Sequence, residues 1–114
     1  MSIEETIRNY LANRLECPCW LKVPKGLSLP AEYVLIQKTG SSRRNLINYA
    51  VIAVQSCADD LVSAMDLNEE VKSAMDNLVE IQRISGAALN SDYDFTDTQT
   101  KKYRYQAVYD ITHY

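Results

Sequence analysis

Side chains able to do chemistry are few in this chain. There is one histidine, His113, and three cysteines, Cys17, Cys19 and Cys57. A thiol beside an imidazole can act as a nucleophile with its base. His113 is remote in sequence from all three, so only folding could bring Cys57 or Cys19 to it. Cys17-Pro18-Cys19 lacks the two-residue spacing that suits zinc or dithiol redox work, and no histidine lies nearby. Asp66 with Glu70, and Asp76 with Glu80, stand four apart, a spacing that puts both carboxylates on one helix face. Such pairs are ordinary on solvated helices and have no further ligands here. Three well-separated glycines leave no phosphate-binding loop. These residues point to no catalytic group, no cofactor and no metal, so the chain is expected not to be an enzyme.

The cationic residues are the other candidates. Arg43 and Arg44 fall in one turn, and Lys101, Lys102 and Arg104 lead into a tyrosine-rich strand. Basic residues interleaved with aromatics can bind nucleic acid. Against this stands a net charge of −3. The tyrosines also alternate onto the side of Ile111, which is the expected core side.

The elements that position these residues follow from periodicity. From Leu46 to Val54 the chain reads LINYAVIAV, apolar on both alternating sides, with Asn48 its only strongly polar residue. A strand of that kind belongs in the middle of a sheet, with cover on both faces. Beyond it Leu61, Ala64, Leu67, Asn68, Val71, Met75 and Leu78 recur at helical spacing. Residues 59 to 80 carry seven acids and one base, against eight acids and eleven bases elsewhere. The result is one acidic helix on a mildly basic body.

In chain order, Ser2 and Glu5 form a capping box for a first helix from Ile3 to Glu16, stopped by Pro18. Cys19 to Val23 is a short strand candidate, and Pro24, Gly26, Ser28 and Pro30 make a loop. Glu32 to Thr39 reads as a strand, joined by a six-residue loop, Gly40 to Asn45, to the central strand. After the acidic helix, Arg83 to Asn90 is a weaker strand in which Gly86 suggests a bulge. Ser91 to Thr100 is a polar turn. In the last strand Tyr103, Tyr105, Ala107, Tyr109, Ile111 and His113 should face inward, alternating with Lys102, Arg104, Gln106, Val108, Asp110 and Thr112. The fold expected is α+β, one domain of 114 residues with two helices on a mostly antiparallel sheet of four to five strands.

With 46% hydrophobic residues the chain can bury a core without a staple, and free buried cysteines are the default. It contains no run of 18 apolar residues, and its acidic N-terminus is unlike a signal peptide, so no membrane is expected and synthesis in the cytoplasm is.

The ending RYQAVYDITHY, the stretch VLIQKTGSSRRNLINYAVIAVQSCA and the turn SDYDF resemble the small tail-completion and tail-terminator proteins of long-tailed, siphovirus-type bacteriophages and prophages. The similarity covers nearly the whole chain in order. Cys17-Pro18-Cys19 and Trp20 depart from that pattern, so its early part is less well matched. The resemblance implies a virion structural protein without catalysis. Such proteins form a ring, commonly a hexamer, on the head-proximal end of the tail tube. The ring contacts the tube protein and the head–tail connector, and DNA passes through its opening. It implies assembly in the bacterial host cytoplasm and residence in the tail. The loop from Gly40 to Asn45 matches a hairpin that these proteins project towards a neighbouring component, which marks Arg43 and Arg44 as interface residues. Lys101, Lys102 and Arg104 form a second candidate surface. The alternatives are a head-side connector or stopper subunit, and a host α+β module that binds a ligand or regulates a partner.

Overall fold

The computed structural model describes residues 1–26, 28–96 and 102–114 of the chain. Helix α1 spans Ile3–Arg14 and begins as expected: Ser2 accepts from the Glu5 amide, while the Glu5 carboxylate reaches back to the Ser2 backbone. It ends two residues before the expected Glu16, because Leu15 is already extended as the chain approaches Pro18. Strand β1 is Cys19–Trp20 alone, not the expected five residues. It lies parallel to the next strand at Val34 and Leu35.

Strands β2 (Tyr33–Arg44) and β3 (Ile47–Ala58) differ most from expectation. The expected six-residue loop is mostly strand. Gly40 to Arg44 pair with Val51 to Ile47, and Thr39 is the extra residue of a bulge. Only Asn45 and Leu46 connect the strands, at φ 52° and 69°. Two consecutive positive φ angles are what a type I′ hairpin turn requires, and its twist matches that of the flanking strands.

Helix α2 (Leu61–Met75) is capped by Asp60, which accepts from the Ser63 amide at 2.8 Å, and a 3-10 turn follows at Leu78–Glu80. Strand β4 (Ile84–Asp94) takes in the first four residues of the expected polar turn, the last four of which, 97–100, lie outside the described residues. It is interrupted by bulges at Ser85 and Asn90, the first of them beside Gly86. Strand β5 (Tyr103–His113) has the expected span.

The sheet order is β1-β2-β3-β5-β4, antiparallel except for β1. The fold is therefore α+β, and β3 is central. One face of the sheet carries Val34, Ile36, Ala50, Ile52, Val54, Ala107, Tyr109 and Ile111. These pack against Ile3, Ile7 and Leu11 of α1 and Leu67, Val71 and Met75 of α2. His113 is buried as the inward reading predicts, whereas Tyr103 is exposed and Tyr105 half-buried.

Both helices lie on one face of the sheet, as the α+β reading expects. The expected cover on both sides of β3 holds only in part: Ile52 to Ala58 are buried on both alternating sides, whereas on the helix-free side Tyr49 is exposed and Val51 half-buried. Among the described residues no helix is long and apolar enough to cross a membrane.

Candidate assembly surfaces

The hairpin turn sets the positions of the first pair of candidate residues. Arg43 and Arg44 pair with Asn48 and Ile47, so successive side chains point to opposite faces of the hairpin. Both are exposed, and neither side chain has a hydrogen bond or ion pair among the described residues. Leu46, next to them, is 76% exposed. A side chain other than glycine at that φ costs about 1 kcal/mol. Leu46 thus holds an unfavourable backbone conformation and buries almost nothing in its own chain.

The second candidate surface is arranged differently. Lys102 donates to the Pro30 and Ala31 carbonyls at 2.9 and 3.1 Å and to Asp59 Oδ1 at 2.6 Å. Its ammonium sits 5.5 Å from the centre of the Tyr33 ring. It ties three segments together from the inside of a loop. Arg104 donates to Gln55 Oε1 at 3.1 Å, and its guanidinium stacks over Phe95 at 5.5 Å. Lys101 lies outside the described residues. The structure therefore separates the four described cations: two stand free at the hairpin, and two are engaged within the chain.

The helix-free sheet face holds a network that periodicity alone did not expose. Gln55 Nε2 donates to Gln106 Oε1 at 2.9 Å, and Gln106 Nε2 donates to the Tyr93 hydroxyl at 2.7 Å. Tyr93 meets Phe95 edge to face at 6.0 Å, which links back to Arg104. The two glutamines are only 6% and 8% exposed. Buried amides must be satisfied, and here they satisfy one another across β3, β5 and β4. Further along, Leu35, Val51, Ala53 and Val108 share this face, with Tyr49 exposed beside them. Beside Tyr49 and Val51 the sheet forms a cavity of about 400 Å³, lined also by Gly40, Ser42, Asp110 and Thr112.

The helix side has its own polar tie. Asn68, on the apolar stripe of α2, donates to Asp92 Oδ2 at 2.9 Å, and Lys72 reaches the same oxygen at 2.8 Å. The Lys72 hydrogen bond, with the Asn68 bond in support, holds the Asp92 carboxyl below its ordinary pKa. Asp66, Glu70, Asp76 and Glu80 are all exposed. Among the described residues, no group of three or more His, Cys, Asp or Glu is placed to hold a metal ion.

The thiols and the imidazole are far apart. His113 pairs with Asn48, whereas Cys57 pairs with Arg104, nine residues along β3 from Asn48. At strand rise that is roughly 30 Å. Cys19 pairs with Val34, itself opposite Ser56, so it also lies at the far end. Burial raises the Cys57 pKa and lowers that of His113. Cys17 is half-buried, and its thiol pKa is lowered by a hydrogen bond with Cys19. All three cysteines are free. This geometry offers no nucleophile–base pair.

No protein-family model matches the chain, and no curated protein matches it.

Proposed function

We propose that the chain is a non-enzymatic virion protein of the tail-completion type. It assembles as a ring, a hexamer, on the head-proximal end of a phage tail tube. There it stops tube growth and presents a surface to the head–tail connector, while DNA passes through the ring. The observation that carries this reading is the sheet face without helices, where Tyr49 is exposed and Leu35, Val51 and Val108 are half-buried. β3 is apolar on both sides, yet the chain supplies helices for one side only. A ring subunit needs two heterologous surfaces for its neighbours as well as faces towards tube and connector. This chain has such surfaces to spare in the helix-free sheet face, the outer edge of β4 and the arginine hairpin. The resemblance of residues 34–58 and 104–114 to tail-completion proteins supplies the partner classes.

Deleting the gene from the phage or prophage that carries it tests the reading. The expected result is DNA-filled heads beside unjoined tails of uncontrolled length. Normal tails on normal heads would refute it. Tails of normal length that remain unjoined would move the protein to the head side of the joint.

A further inference from the structure

The hairpin tip and the acidic helix carry complementary chemistry on different parts of one surface. The tip is Leu46, strained and exposed, flanked by the unpaired Arg43 and Arg44. Between the end of α1 and the second half of α2 lies a groove of about 440 Å³, lined among others by Arg14, Leu15, Glu69, Glu70 and Ala74. Ala74 is buried and Leu15 half-buried, which gives its base an apolar part, while Ser73 and Asn77 also line it and Glu69 and Glu70 stand exposed at its border. Arg14 does not neutralise that border, because it is bound to Glu80 at 2.7 Å. Lys72 is shared between Glu69 at 2.9 Å and Asp92 at 2.8 Å. Glu70 has no partner among the described residues.

We propose that the hairpin tip of one copy docks in this groove of the next copy. Leu46 rests on Leu15 and Ala74, and Arg43 and Arg44 meet Glu69 and Glu70. An apolar tip with cationic flanks fits a partly apolar base with an acidic border in both chemistry and sign. Duplex DNA would attract the arginines but would leave Leu46 in water, and it would be repelled by the groove. Because tip and groove are different surfaces, the contact is heterologous and joins copies head to tail. The proposal rests on the ring reading and specifies which surfaces close it.

The test places the photo-crosslinker benzoylphenylalanine at position 46 and maps adducts by mass spectrometry at rising protein concentration. Adducts between copies, falling on Leu15 or residues 69–77, are expected. Glu70→Arg should weaken them at least tenfold, and Glu70→Arg combined with Arg44→Glu should restore them. Leu46→Gly should weaken self-association at least tenfold without lowering the melting temperature. Adducts elsewhere, no adduct between copies at any concentration, or unchanged association of Leu46→Gly would overturn the proposal. Closed rings cross-linked elsewhere would remove this contact and leave the ring reading intact. Open chains carrying the expected cross-link would do the reverse.

Discussion

Replacing Lys102 by methionine separates a structural cation from an interfacial one. Methionine keeps most of the apolar stem over Tyr33 and removes three hydrogen bonds, to Pro30, Ala31 and Asp59. The Asp59 side chain is 66% exposed, so that ion pair is screened and contributes below about 1 kcal/mol. The two carbonyls lose a charged donor. Ala31 is exposed and can rehydrate, whereas Pro30 is half-buried and rehydrates poorly. Together these bonds are worth about 1 to 1.5 kcal/mol. The expected total loss is therefore about 2 kcal/mol. With an unfolding entropy of about 0.24 kcal/mol/K for a chain of this length, the melting temperature should fall by about 8 °C. Urea unfolding followed by Trp20 fluorescence is a suitable assay, since Trp20 packs on Tyr33 at 5.4 Å, beside the lost contacts. The midpoint should move while the denaturant slope stays constant. A loss below about 0.5 kcal/mol would refute the assignment of Lys102 as an internal tie. A change in self-association without a change in stability would return it to the interface.

Other perturbations have equally definite signs. The Tyr109 hydroxyl is buried with no partner among the described residues, and burial pushes its pKa up to about 12. Tyr109→Phe should therefore be neutral or stabilise by about 1 kcal/mol, and a loss of that size in urea unfolding would contradict the unsatisfied hydroxyl. Burial holds the His113 pKa below its ordinary value, so the unfolded chain protonates first as pH falls. Its contribution is complete above about pH 6.5 and is lost as pH drops through the lower folded value. His113→Gln should flatten the stability profile below about pH 6.5, and an unchanged slope would refute this. Asp92 acts in the same direction further into acid: its contribution is present above about pH 3.9 and is lost as pH falls through its depressed folded value. Asp92→Asn should reduce stability at pH 7 and shrink that acid-limb loss, which an acid titration of unfolding would measure. In alkylation kinetics on the folded chain, Cys17 should react first, with Cys19 and Cys57 reacting only on unfolding. Fast labelling of Cys57 would contradict its burial.

Much of the architecture was written in local patterns. The Ser2–Glu5 capping box, the stripe from Ala64 to Met75 and the alternation through β5 all specify elements through contacts a few residues apart. The hairpin was not legible in this way. Gly40 to Arg44 are polar enough to read as loop, and the turn lacks the Asn-Gly signature because Leu46 occupies the second positive-φ position. The strand pairing there is imposed by β3, which is bordered on its other side by β5. Lys102 offered the same cation to a sequence reading as Arg44 does. Its carbonyl partners lie 71 and 72 residues away, so its role appears only in the fold. The Gln55–Gln106–Tyr93 network likewise depends on cross-strand register. The apolar character of both sides of β3 and a helix layer on one face were legible, but which part of the helix-free side is buried was not.

The ring is tested most directly by light scattering across a concentration series, with negative-stain images of the same samples. Particles of hexamer mass, with a central opening wide enough for duplex DNA, are expected to form alone or on added tail-tube ends. A dimer whose mass is independent of concentration, or a monomer that stays monomeric and ignores tube ends, would contradict it.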